Sequence, residues 1–221
     1  MQRDFNISVW KQGRAGYLFK LEKGRADNIK QFFEKMNFFI IHGVYANPDA
    51  NWFPWLKKEL ESRGYGVIVP KFSTPLNQSL ENWMRAFSQY EDNINEETVL
   101  IGHSLGATFI LNYLEKTNKK IKAAYLVAGF YKLIESQYDE LNKSFLDKEF
   151  DWEKIKNNCG KFFVFASDND EYIPFEVSKE LADKLGAEFN IVPNGGHLNK
   201  DAGYYEFQLL LECIIIDLEQ E

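Results

Sequence analysis

From about Met36 to the C-terminus, short apolar runs alternate with longer segments of helical periodicity, and this alternation constrains the fold more than any other feature of the chain. Strand-like runs fall at Phe38 to Ile41, Tyr65 to Val69, Val99 to Ile101, Ala123 to Ala128, Phe162 to Ala166 and Phe189 to Val192. The segments between them read as helices. Trp52, Trp55, Leu56 and Leu60 repeat at helical spacing before Gly64, and Ser79 caps a segment whose Leu80, Trp83, Met84 and Phe87 share one face. Leu105, Phe109, Ile110, Tyr113 and Leu114 follow the third strand. Pro174 opens a helix that carries Val177, Leu181 and Leu185 to a stop at Gly186. The last helix shows Phe207, Leu210, Leu211, Ile214, Ile215 and Leu218 as a stripe. Strands alternating with single helices pair in parallel through right-handed crossovers, so the chain predicts a doubly wound α/β domain with helices on both faces of a mostly parallel sheet. Such sheets bind ligands beyond the carboxyl ends of their strands, which is where chemistry is to be sought.

Composition supports one such domain over 36–221: the chain has 221 residues and is 45% hydrophobic, enough for a single large core. Residues 1–35 are different. They carry a net +4, leaving about −11 on the remainder. Ile7/Val9 and Tyr17/Phe19/Leu21 alternate around Gly13 to Gly16, which predicts a short N-terminal accessory hairpin, followed by a short helix near Asn28 to Phe33. The overall charge of −7 and pI near 5.2 argue against a nucleic-acid partner. Two cysteines, Cys159 and Cys213, form neither a disulfide framework nor a metal-ligand pattern, so no metal or cofactor is expected. No apolar window reaches the length of a membrane span and the N-terminus lacks the apolar core of a signal peptide, so the expectation is a cytoplasmic chain with no membrane partner.

The third strand ends in Gly102-His103-Ser104-Leu105-Gly106 and passes directly into a helix. A serine on a tight strand-to-helix turn is exposed as a nucleophile, and the turn excludes bulk two residues to either side, which the two glycines satisfy. The bland alternative is a glycine-rich turn with an incidental serine. A nucleophilic serine needs a base and an acid behind it, in the chain order serine, acid, histidine. Of three histidines only His197 lies far enough downstream, on the loop after the strand Phe189 to Val192, where Gly195-Gly196 predicts a loose, compact carrier for the imidazole. The acid belongs in Ser167 to Pro174. Asp170 is preferred at the loop crest over Asp168 and Glu171, which read as turn-capping or solvated groups. The oxyanion hole needs two backbone N–H groups: Leu105 supplies one and the loop after the first strand the other, with Val44 preferred and Tyr45 next. His42 and His103 are expected to pack or bond locally. As residues just after strands, Phe130 and Tyr131 are candidate pocket residues with Tyr45, and segment 131–158, with Tyr138, Phe145, Phe150 and Trp152, is expected to form an apolar lid.

Taken together, Ile41-His42-Gly43, the run Trp52 to Leu60, Pro70, Pro75, Trp83, Gly102 to Gly106, Val127 to Phe130, Ser167 to Pro174 and Gly195-Gly196-His197 resemble the small serine α/β-hydrolases related to retinoblastoma-binding protein 9. The likeness begins near Asn37. It implies an α/β-hydrolase-like sheet of about six strands with little lid and a triad of Ser104, Asp170 and His197; the partner expected of the serine, base and acid themselves is a small-molecule acyl substrate. The retinoblastoma-binding pattern Leu-x-Cys-x-Glu is not matched, since Leu211-Glu212-Cys213 runs on into Ile214-Ile215, so that partner is not carried over. Three functions remain open on these residues: cleavage of a small ester, amide or thioester through an acyl-enzyme, a binding or regulatory role on the same scaffold with little turnover, or a non-hydrolytic reaction such as that of an acyltransferase or lyase on that scaffold.

Overall fold

The computed structural model describes residues 36–220; the hairpin and short helix expected within 1–35 lie outside the described residues. Six strands, β1 (Asn37–Ile41), β2 (Gly66–Ile68), β3 (Val99–His103), β4 (Ile121–Val127), β5 (Cys159–Ser167) and β6 (Glu188–Val192), form one sheet of order β2-β1-β3-β4-β5-β6. Every neighbouring pair is parallel, and Ile41 lies opposite Gly102 and His103 opposite Val127, so β1, β3 and β4 end at one level. Seven helices cover the sheet: α1 (Phe53–Ser62), α2 (Leu80–Phe87), α3 (Leu105–Lys116), α4 (Asp139–Leu146), α5 (Trp152–Asn157), α6 (Phe175–Leu185) and α7 (Gln208–Glu219).

The period of two along each strand sorts the core into two layers. Phe38, Ile40, Val99, Ile101, Tyr125, Val127 and Phe165 pack against α1 and α7. Phe39, Ile41, Leu100, Ala124, Leu126 and Val164 pack against α2 through α6. Trp83 anchors the second layer, stacked on Phe72 at 4.6 Å and edge-on to Phe145 at 5.1 Å. Ser79 caps α2 as expected, its Oγ accepting from the Asn82 N–H at 3.2 Å, a contact worth about 1 kcal/mol. Gly186 closes α6 in the left-handed conformation at φ 65°.

The crossover from β4 to β5 departs from the expectation. It contains two short helices, α4 and α5, and most of the aromatics assigned to a lid belong to the core: Phe145 is fully buried, Phe150 joins it and Trp152 packs against them. The reason lies in α3, which is buried at every position from Leu105 to Leu114. A helix apolar on all sides needs cover on its outer face, and this crossover provides it. Polar pins hold it there: Asn112 Nδ2 donates to the Phe145 carbonyl at 3.0 Å and Asn158 Nδ2 to the Leu114 carbonyl at 2.8 Å.

Candidate active site

The chain leaves β1 toward β2 on one side and leaves β3 toward β4 on the other, so the switch point of the sheet opens between the ends of β1 and β3. Ser104 stands there at φ 55°, ψ −124°, a conformation that costs a serine on the order of 1–3 kcal/mol and persists because its surroundings impose it. Its N–H donates to the Val127 carbonyl at 2.9 Å, and α3 begins at the next residue. The glycine requirement is now explicit. A Cβ on Gly106 would lie 2.8 Å from the His42 carbonyl oxygen and closer still to that of Ile41, and one on Gly102 would lie 2.6 Å from the Ala107 nitrogen. Both obstacles are backbone and cannot turn aside.

Leu105 begins α3, so its N–H has no intrahelical acceptor and sits at the positive end of the helix dipole. Across the cleft, the Tyr45 N–H is taken by Thr74 Oγ1 at 2.9 Å, which removes it from competition with that of Val44. His42 is buried; its Nδ1–H donates to the Gly43 carbonyl at 2.9 Å and its Nε2 accepts from the Phe72 N–H at 3.0 Å, a pair of bonds that selects the neutral ring. Burial lowers its pKa in the same sense. Because a trans peptide points its N–H opposite to its C=O, pinning the Gly43 carbonyl fixes the direction of the Val44 N–H.

Asp170 and His197 come together. Nδ1 of His197 lies 2.8 Å from Asp170 Oδ2 and 3.0 Å from Oδ1, with the two side chains only 10% and 3% exposed. Asp170 Oδ1 also accepts from the N–H groups of Tyr172 at 2.9 Å and Ile173 at 3.1 Å. Asp168 is engaged elsewhere, its Oδ1 accepting from the Asn194 N–H at 2.7 Å. Ser167 Oγ accepts from Gly195 N–H and Asn169 Oδ1 from Gly196 N–H, each at 2.8 Å. Four consecutive side chains, 167 to 170, thus grip the four consecutive residues 194 to 197. The expected loose loop is instead clamped, and from behind as well: His103 Nε2–H donates to the His197 carbonyl at 2.9 Å and Trp52 Nε1–H to the Leu198 carbonyl at 3.0 Å. Burial, with the neighbouring His197, brings the His103 pKa down to about 3, so this ring stays neutral and keeps its donor. With Nδ1–H directed at Asp170, Nε2 of His197 is left as an acceptor.

Ser104 and His197 line one cavity of about 300 Å³. Val44, the expected second oxyanion donor, and Tyr45, an expected pocket residue, line it; Phe130 and Tyr131 do not. Phe130 is buried in the core, its carbonyl taken by Thr108 Oγ1 at 2.6 Å, and Tyr131 turns outward to Glu180, its hydroxyl 2.6 Å from the carboxylate. Their position after a strand gave no sign of these captures. The walls the sequence reading missed are Asn51, Asn142, Tyr172, Asn199 and Asp201. Tyr172 and Asp201 lie within four residues of Asp170 and His197, which was the available signal. A larger groove of about 640 Å³ on the outer face of α2 and α3 contains none of the residues discussed here as nucleophile, base or acid. Among the described residues, no group of three His, Cys, Asp or Glu side chains is placed to hold a metal.

A sequence model of the family described as serine hydrolase matches residues 38–214. A putative hydrolase of Bacillus subtilis (strain 168), YdeN, is 34% identical over 178 residues, covering 80% of this chain and 93% of its own length. The serine hydrolase RBBP9 of Rattus norvegicus is 29% identical over 164 residues, covering 74% of this chain and 84% of its own. The crystal structure of the B. subtilis ydeN product superposes with a TM-score of 0.79 at 32% identity, over 83% of this chain and 99% of that one.

Proposed function

Because the chain belongs to the serine hydrolase family, we propose that Ser104, His197 and Asp170 act together to hydrolyse a small ester, amide or thioester through an acyl-enzyme. The observation that carries this reading is the buried Asp170–His197 pair, in which His197 Nδ1 meets both carboxylate oxygens and the imidazole stands on the wall of the same cavity as a serine held at positive φ in the elbow.

The steps follow from the atoms. Nε2 of His197 takes the proton of the Ser104 hydroxyl as its oxygen attacks the substrate carbonyl, and the resulting imidazolium is stabilised by the Asp170 carboxylate at Nδ1. The oxyanion of the tetrahedral intermediate is received by the N–H groups of Leu105 and Val44; a single such donor typically contributes about 2.7–4 kcal/mol. The imidazolium returns its proton to the leaving group as the carbonyl–heteroatom bond breaks. Water then attacks the acyl-serine as His197 takes its proton, and that proton passes to Ser104 Oγ as the acyl–oxygen bond breaks, releasing the acid and restoring both side chains. A cavity of about 300 Å³ suits a small to medium acyl group and underlies the carboxylesterase-like preference proposed here.

Steady-state hydrolysis of p-nitrophenyl acetate and butanoate tests the proposal. Turnover should fall at least about 10³-fold in Ser104→Ala, in line with the loss of a nucleophile in such a constellation. A Ser104→Ala protein that keeps its rate, or a folded parent with no turnover of any acyl substrate, would overturn it, the latter in favour of a binding role.

A further inference from the structure

The cavity around Ser104 is walled by an uneven set of charges. Asp201 is its one acidic lining residue, no lysine or arginine lines it, and His197 is neutral when it serves as base. Asp201 has no ion pair among the described residues; the adjacent Lys200 Nζ lies over the Tyr205 ring at 5.5 Å instead. Three tyrosines complete the wall. Tyr45 and Tyr138 have ring centroids 6.2 Å apart, Tyr138 and Tyr172 6.1 Å, and Tyr172 lies 4.9 Å from the His197 imidazole. Tyr45 is 63% exposed and Tyr172 37%, so the core does not consume their faces. The phenol of Tyr172 is held above its ordinary pKa by burial first and then by Glu171, Tyr138 and Asp201, and Asp201 shares the cavity wall with that ring.

Aromatic faces and an unpaired carboxylate beside a reacting serine, with no cation to neutralise them, form a receptor for positive charge. We propose that this cavity selects substrates whose acyl or leaving group carries an alkylammonium cation, seated against Tyr138 and Tyr172 with Asp201 as counter-ion. The proposal rests on Ser104 being the nucleophile of the preceding section. It also fits the excess negative charge of residues 36–221, about −11, which draws cations toward the surface.

Isosteric pairs isolate the charge. p-Nitrophenyl 4-(trimethylammonio)butanoate against p-nitrophenyl 5,5-dimethylhexanoate tests the acyl side, and acetylcholine against 3,3-dimethylbutyl acetate tests the leaving-group side. At low salt, kcat/KM should favour the cation about 10- to 50-fold in at least one pair, and the advantage should shrink as ionic strength rises. Asp201→Asn should bring the ratio within that pair several-fold closer to one, whereas a merely structural defect would slow both esters alike. A neutral ester preferred or equal in both pairs, or a cation preference unchanged in Asp201→Asn, overturns the proposal. Calorimetric titration with choline and with 3,3-dimethylbutanol reads the same selectivity without turnover. Choline binding in a protein that cleaves no ester would separate failure of the hydrolytic reading from failure of this one; equal or absent binding of both alcohols in an active hydrolase would refute the cation site.

Discussion

Asparagine substitutions at Asp170 and Asp168 separate two carboxylates that lie two residues apart on one loop. In Asp170→Asn the new Oδ1 still accepts from the Tyr172 and Ile173 N–H groups, at 2.9 and 3.1 Å in the parent, so the loop has reason to keep its shape. The side-chain NH₂ then faces His197 Nδ1, which must become the acceptor, and the ring proton moves to Nε2, where it blocks proton uptake from Ser104. A tautomer wrongly set in this way costs about 10⁴ in kcat in the best-studied constellation of this type. In Asp168→Asn, Oδ1 can still accept from the Asn194 N–H, 2.7 Å away in the parent, and nothing at His197 changes. Its kcat should stay within about threefold, less than 1 kcal/mol of barrier. The assay is p-nitrophenyl acetate hydrolysis at pH 8 with urea midpoints measured in parallel, so that a folding defect is not read as a chemical one. Asp168→Asn falling further than Asp170→Asn, with both folded, would refute the assignment.

His103→Phe should cost about 1–3 kcal/mol at pH 7 by stranding the His197 carbonyl. It should also flatten the acid limb: the folded pKa of about 3 lies below the unfolded value, so between roughly pH 6.5 and 3 the unfolded chain binds a proton the folded one refuses, and parent stability is lost as pH falls. Urea midpoints at pH 7 and 4.5 check both, and equal acid slopes in parent and variant would contradict the second. Gly106→Ala forces a methyl against the carbonyls of Ile41 and His42 and should destabilise by about 1–3 kcal/mol with loss of turnover, read by thermal melts and ester assay; a stable, active variant would show that the elbow tolerates side chains.

The central strands β1, β3 and β4 were legible because strands covered on both faces are continuous apolar runs, and the elbow because backbone crowding at Gly102 and Gly106 leaves no room for a side chain there. What the sequence could not carry was contact between distant segments. Asp168 and Asp170 differ only through what meets them: an Asn194 amide for one and the His197 ring for the other, 26 and 27 residues away. Phe130 was misplaced because position after a strand says nothing of the Thr108 hydroxyl that draws its carbonyl inward. Likewise α4 and α5 are short, and what seats them is the apolar outer side of α3, which they bury and which lies far from them in sequence. His103 reads as a side chain that packs or bonds locally and Trp52 as one face of a helix, yet each carries an N–H that holds the distant loop of the proposed base.

Everything proposed for the site depends on Ser104 being a nucleophile activated by His197. Treatment of the folded protein with a fluorophosphonate, followed by intact and peptide mass spectrometry, tests it most directly. One adduct per chain is expected, on the peptide containing Ser104, absent in Ser104→Ala and formed at least about a hundredfold more slowly in His197→Ala. A folded parent that takes no adduct, or takes it on another residue, would contradict it.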